Sequence, residues 1–333
     1  MEQAIFGTQD GRIVVGQGPF LTAATPPVEG VAFYLNDFSL TKEEPWRIPA
    51  SVDLLKPSDL SPKAPEVRWR EPQVGGFAEV FREVTGAIAQ GIIDKSVPVA
   101  VETGVWEGKE VGGFLNRLCH LPPALRAFGV TDQDRGFLGA TPEVLFSVEK
   151  GVLRTMALAG TAKMEEREVF AVDDKEIREH EFVAQTLIAK LSDLGMVRRF
   201  PRDILDLGKL VHFQTLIEVE LYRQEDVGTL IRRLHPTPAL GPLPRTEETM
   251  ALLGRWRDRL GCPRHFGAPF GFWERGSFEA LVGIRMIGWQ GKEVLLPSGC
   301  GIIQESRLMN EWRELRLKRE SVKELFFGEL CQV

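Results

Sequence analysis

Two segments, from about Asp174 to Gly195 and from roughly Ser306 to Phe327, carry apolar residues at helical spacing in a chain otherwise patterned as short strands. A third helical stretch is read over Phe77–Ile93, where Phe77, Val80, Phe81, Val84, Ile88 and Ile92 recur on one face. Strands are expected at Ser96–Val105, Ala127–Thr131, Phe137–Ala140, Val144–Val148, Val152–Leu158, Ser277–Trp289 and Glu293–Leu296. Strand-rich and helical stretches follow one another without regular βαβ alternation. That order predicts an α+β fold of large, mainly antiparallel sheets flanked by helices. Between Asn36 and Gly76, prolines 45, 49, 57, 62, 65 and 72 predict a meandering connection. No dinucleotide fingerprint and no P-loop is present.

The first long helix places its charges unusually. Glu176 and Glu179 are three apart, and their face continues through Val183, Leu187, Leu191 and Leu194, with Gly195 as the expected C-cap. A charged helix start is ordinarily a solvated one, favoured by the helix dipole. Here the carboxylates fall on the face that should be buried, where they must be paired or metal-bound. The last helix repeats the spacing with Glu311, Glu314 and Lys318, beside the apolar line Leu308, Trp312, Leu315 and Val322. Alone it reads as a Glu-to-Lys surface pairing. Two helices that each present an i, i+3 glutamate pair suit a hard divalent cation, for which Mg²⁺ is the expectation.

Other residues have bland and functional readings side by side. The glycine-rich segments Ala157–Thr161 and Ser298–Ile302 read as turns after strands, able to present N–H groups to an anion. Arg285 sits in Ala280–Ile287, which reads as a strand apolar on both faces; its guanidinium needs an anion, either a ligand or a structural Asp or Glu. Lys95 by itself reads as a surface lysine, and His212 and His235 have ordinary structural readings. A net charge of −6 gives no reason to propose nucleic acid or an anionic membrane as partner. Cys119, Cys262, Cys300 and Cys331 show no CxxC spacing, and no apolar run approaches a membrane span. A cytoplasmic, unexported protein is expected.

Taken in order, Gly136–Glu143, Ala157–Thr161, Lys175–His180, Leu234–Ala239, Ala280–Ile287, Ser298–Ile302 and Glu311–Lys318 resemble the chorismate-binding enzymes. That family comprises isochorismate and salicylate synthases and the large subunits of anthranilate and aminodeoxychorismate synthase. The resemblance covers roughly Phe77 to Leu325. It implies one domain over residues 1–333, with a reduced strand-rich portion at 1–76 and the catalytic core at 77–327. It implies a Mg²⁺ site of Glu176, Glu179, Glu311 and Glu314 holding the ring carboxylate of chorismate. Arg285, Gly299, Gly301 and Lys318 would receive the enolpyruvyl carboxylate, and Gly160, Thr161 and His212 would line the ring. Glu143 matches the acid that protonates the departing C4 hydroxyl, and Lys95 the base that activates water for attack at C2.

That pairing, with the form Ala-Leu-Ala-Gly-Thr at 157–161, implies an isomerase of the isochorismate synthase type serving menaquinone or siderophore synthesis. Monomeric behaviour goes with it. The alternatives are salicylate synthesis, an aminating enzyme with a separate glutaminase partner, and a non-catalytic chorismate-binding protein. Phe266 stands where salicylate synthases carry tyrosine. Ala100 and Val101 stand near the place of an arginine that often closes the Lys95 motif. The chain is shorter than most relatives, chiefly before Phe77.

Overall fold

In β1 (Gln3–Gly7), Ala4 and Phe6 point to one side and Ile5 to the other, and all three are buried. Successive side chains of a strand face opposite ways, so β1 is covered on both faces. That pattern holds across the molecule and stacks it in layers. The computed structural model describes residues 2–57, 60, 66–106, 111–132 and 134–328.

One antiparallel sheet runs, edge to edge, through β6 (Ser51–Leu54), β2 (Ile13–Gln17), β1, β9 (Arg126–Thr131), β10 (Arg135–Thr141), β18 (Met286–Gln290), β19 (Glu293–Gly299), β8 (Val99–Trp106) and β7 (Val67–Arg70). The second runs through β13 (Gly195–Arg199), β15 (Leu210–Leu221), β12 (Val152–Lys163), β11 (Val144–Glu149), β17 (Ser277–Val282), β16 (Pro269–Glu274), β4 (Val31–Leu35), β5 (Trp46–Ile48) and β3 (Leu21–Ala23), with β14 (Asp203–Asp206) paired to β15. An aromatic layer that includes Phe6, Phe33, Phe128, Phe270 and Phe272 fills the space between the sheets. Behind the second sheet lie α4 (Asp174–Leu191) and α5 (Val227–Leu234), behind the first α2 (Gly112–Leu118) and α7 (Leu308–Phe327). Two more helices, α1 (Val74–Ala89) and α6 (Glu247–Arg259), pack with α7 around Phe77, Trp256 and Leu315, and the short α3 (Arg167–Phe170) leads into α4. No helix among the described residues is long and apolar enough to cross a membrane. The expected α+β architecture of large antiparallel sheets is the one observed.

Four expectations are corrected. Residues 36–76 are not a plain connection: β5, β6 and β7 lie within them and extend both sheets. The prolines there sit at strand ends or between strands, where a missing N–H breaks no ladder; Pro62 and Pro65, like Cys331, lie outside the described residues. Helix α4 stops at Leu191, not at Gly195, which opens β13. Gly195 is needed there because a Cβ would stand 2.1 Å from the Glu220 carbonyl oxygen of β15. The strand expected at Ser96–Val105 starts at Val99, and Ser96 instead forms a bridge to Ile302. The most consequential correction concerns Ser277–Trp289. It is two strands, β17 in one sheet and β18 in the other, with the chain crossing between sheets at Gly283–Arg285.

Candidate active site

The site lies where two neighbouring strand pairs change sheets. β10 passes from the first sheet to β11 in the second through Pro142 and Glu143, and β17 passes back to β18 through Gly283–Arg285. The crossings are tied together: the Val282 N–H donates to the Glu143 carbonyl (3.0 Å), and the Ala140 N–H to that of Arg285 (3.1 Å). At each crossing a side chain leaves the sheet and enters a pocket of about 100 Å³ between the sheets and the starts of α4 and α7. Arg285 takes φ of 53° to make the turn, a left-handed conformation rare outside glycine.

Glu143 is 3% exposed. Burial raises its pKa from 4.5 to about 7, against the lowering effect of the Thr237 hydroxyl, which donates to Oε1 at 3.0 Å, and of the charges on Lys95 and Lys318. Arg285 faces the pocket with no carboxylate in salt-bridge reach among the described residues. Its Nη2 donates to His212 Nε2 (3.1 Å), and burial draws its pKa down to about 10. Of the two readings of this arginine, the structural carboxylate is therefore not the one found. His212 Nδ1 donates to the Gly160 carbonyl at 2.8 Å, which leaves Nε2 bare to accept from Arg285. Burial, reinforced by Arg285, holds His212 neutral, with a pKa near 3.

The segment around Gly160 is not a turn after a strand. It is a bulge within β12, where pairing with β15 slips between Ala159 and Ala162 and Gly160 adopts φ of 76°. The bulge aims the Thr161 N–H at Glu176 Oε2 (3.1 Å). Glu176 stands in the first turn of α4, whose N-cap Asp173 accepts from the N–H groups of Lys175 and Glu176. The apolar face expected behind it is observed: Val183, Leu187 and Leu191 are buried against the second sheet.

All four glutamates line the pocket. Glu176 pairs with Lys175 (3.3 Å), Glu179 with Lys95 (2.8 Å) and Glu314 with Lys318 (2.6 Å). Burial and then the neighbouring Glu179 raise the pKa of Glu176; burial and then Glu314 raise that of Glu311 to about 7. Burial also opposes the charge of Glu179, but Lys95 outweighs it and the pKa is lowered. As the side chains stand, no three acidic or histidine groups among the described residues converge closely enough to hold a metal ion. Lysines instead pair with Glu176, Glu179 and Glu314.

Helix α7 is more deeply set than a surface helix. Glu311, Leu315, Arg319 and Val322 are buried, and Arg319 joins Glu102 of β8 (3.3 Å) and Ser298 of β19 (2.9 Å). This anchor lies one residue from Lys318, whose Nζ also reaches the Gly299 carbonyl (3.0 Å). Lys95 is no surface lysine either; it is 4% exposed. Its carbonyl accepts from Leu243 N–H, and the next residue bridges Ile302, so the chain holds it from both sides. Gly301 faces it: a Cβ there would meet Lys95 Cε at 2.8 Å and Glu179 Oε1 at 3.0 Å. His235 keeps a structural role, donating to the Phe38 carbonyl at 2.7 Å. Thr237 and Lys175 were visible only as members of motifs, because their contacts, to Glu143 and Glu176, exist only after folding.

A family model described as chorismate binding enzyme matches residues 41–326. Isochorismate synthase EntC of Escherichia coli (strain K12) is 28% identical over 258 residues, which are 73% of this chain and 63% of that protein. The chain thus spans less than two thirds of that relative's length. Among solved structures, the menaquinone-specific isochorismate synthase MenF from Escherichia coli superimposes with a TM-score of 0.80 at 20% identity, covering 98% of this chain and 89% of that one. A putative 2,3-dihydroxybenzoate-specific isochorismate synthase, DhbC from Bacillus anthracis, gives 0.82 at 18% identity, covering 98% and 97%.

Proposed function

The chain belongs to the chorismate-binding enzymes, and from that premise we propose that it converts chorismate to isochorismate, adding water at C2 and releasing the C4 hydroxyl. The observation that carries the reading is one buried acid with a pKa near 7, Glu143, in a pocket at whose boundary a buried lysine, Lys95, pairs with the pocket residue Glu179. A general acid works best with a pKa close to the operating pH. The relatives named isochorismate synthase support the same reaction.

Glu176, Glu179, Glu311 and Glu314 are the residues that would hold Mg²⁺. The set is all carboxylate oxygen, and the raised pKa values of Glu176 and Glu311 mark like charges crowded in a buried place, a donor chemistry that suits a hard cation. Bound there, the ion would supply fixed positive charge for the ring carboxylate of the substrate. Arg285, whose guanidinium donates to a neutral histidine and has no carboxylate in salt-bridge reach among the described residues, would receive the enolpyruvyl carboxylate together with Lys318 and the Gly299–Gly301 segment. Gly160, Thr161 and His212 would line the ring.

The proton steps balance within the chain. Lys95, once released from Glu179 and with its ammonium proton given up to solvent, takes a proton from water as the water oxygen bonds to C2. The ring π electrons shift toward C4, the C4–O bond breaks, and Glu143 gives its proton to the leaving oxygen, which departs as water. Solvent then resets both side chains. Phe266, at the pocket wall, offers no hydroxyl for further proton transfer, so the reaction is read as stopping at isochorismate. The product would enter menaquinone or catechol siderophore synthesis in the cytoplasm.

Purified protein incubated with chorismate and Mg²⁺ should give isochorismate without pyruvate. Salicylate with pyruvate as main products, or an aminated product that depends on ammonia, would replace this reading by one of its rivals.

A further inference from the structure

A second cavity, of about 550 Å³ and open to solvent, lies on the other side of α4's first turns from the reaction pocket. Ile88, Phe182, Leu243, Ile303 and Gln304 are in its wall, and so is Lys95. Lys175 and Glu179 line both cavities, whereas Gly301 lines only the inner one and Lys95 only the outer. Yet Lys95 Nζ reaches Glu179 Oε1 at 2.8 Å and would stand 3.2 Å from a Cβ on Gly301. The lysine therefore stands in the partition, with its ammonium at the boundary. The absence of a side chain at Gly301 keeps that boundary open to the inner pocket.

We propose that the outer cavity is the entry route for the attacking water, and that the Lys95–Glu179 pair is its gate. The inference rests on the reading of Lys95 as the base. The inner pocket encloses about 100 Å³, so an organic dianion that fills it excludes water from its own side. A nucleophile approaching through the outer cavity meets Lys95 before it meets the substrate. When the pair opens, the water passes Lys95 and is delivered past Gly301. Substrate and nucleophile thus arrive from different sides.

Ile88→Trp and Gln304→Trp, made singly and together, narrow the outer cavity without touching the reaction pocket. The parent protein must first convert chorismate to isochorismate; a parent that leaves chorismate unchanged removes the underlying reading and this inference with it. Given an active parent, the double variant should lose at least fivefold in kcat while Mg²⁺-dependent chorismate binding, read by equilibrium dialysis, stays within threefold. A kcat loss below fivefold overturns the inference and leaves the reaction assignment standing. Chorismate binding weakened beyond threefold overturns it too, because the cavity would then belong to the substrate's own site. Gln304 is exposed, so its single variant folds and carries the same comparison if the double variant does not.

Discussion

Glu143 shows how much one environment changes one side chain. Its carboxyl is ordinary in the unfolded chain and has a pKa near 7 in the folded one. The folded state therefore holds its proton more tightly: the associated stability is fully present below about pH 4.5 and is lost as pH rises through 7. Glu143→Gln mimics the protonated form at every pH. It should abolish turnover while leaving chorismate binding near parental, and it should raise the thermal midpoint at pH 8 but hardly at pH 5. The shift corresponds to at most ~3 kcal/mol. Equal midpoints at both pH values would mean that the acid is not desolvated. The parent's kcat should fall as pH rises through about 7, since the acid must carry its proton. Thr237→Val removes the hydroxyl that lowers this pKa, so that alkaline limb should move to higher pH in a kcat profile.

At the scale of elements, two devices place the acidic side chains. The β12 bulge is one. In Gly160→Ala the new Cβ would stand 3.2 Å from Glu176 Oε2 and 3.3 Å from Phe213 Cδ2, at a φ of 76°. The strain should cost ~1–2 kcal/mol in denaturant unfolding, and the Mg²⁺ concentration that half-saturates activity should rise several-fold. The anchor of α7 is the other. Arg319→Met leaves Glu102 with Lys323 as its remaining cation and removes a charge-assisted hydrogen bond, a loss of ~1.5–3 kcal/mol; KM for chorismate should rise more than kcat falls, because Lys318 loses its seat before Glu143 is affected.

Much of this layer is legible in the chain. The three long helices announce themselves by periodicity, and the register of Glu176 and Glu179 with Val183 and Leu187 foretells their inward face. What is not legible is the break at Gly283–Arg285. Residues 280–287 stay apolar whichever sheet they join, so no local pattern marks the change. The burial of Lys95 is hidden for a similar reason, since it depends on Leu243 and Ile302, both remote in sequence. Helix α6 escapes notice because its exposed face is densely charged around a narrow apolar stripe, Leu253 and Trp256.

Across the whole molecule, the balance of charge around the pocket is provisional. Lysines satisfy carboxylates that are also the candidate cation ligands, so adding a cation exchanges one set of partners for another. Mg²⁺ at a hundred times its dissociation constant should add ~2.7 kcal/mol to unfolding stability, read as a rise in thermal midpoint that EDTA reverses. A midpoint insensitive to millimolar Mg²⁺ would argue against the four glutamates as ligands.

The paired crossings also set a timetable. β10 and β18 are neighbours in one sheet and β11 and β17 in the other, yet about 140 residues of chain separate the partners. Contacts so remote in sequence form late, after the cost of closing a long loop has been met. A nascent chain that has passed Glu143 but not Arg285 holds a solvated, ordinary glutamate and no pocket. The acid gains its unusual proton affinity only when the second crossing docks on the first, so an unfinished or misfolded chain has no means of starting the reaction. Catalytic competence is in this sense a late checkpoint of assembly.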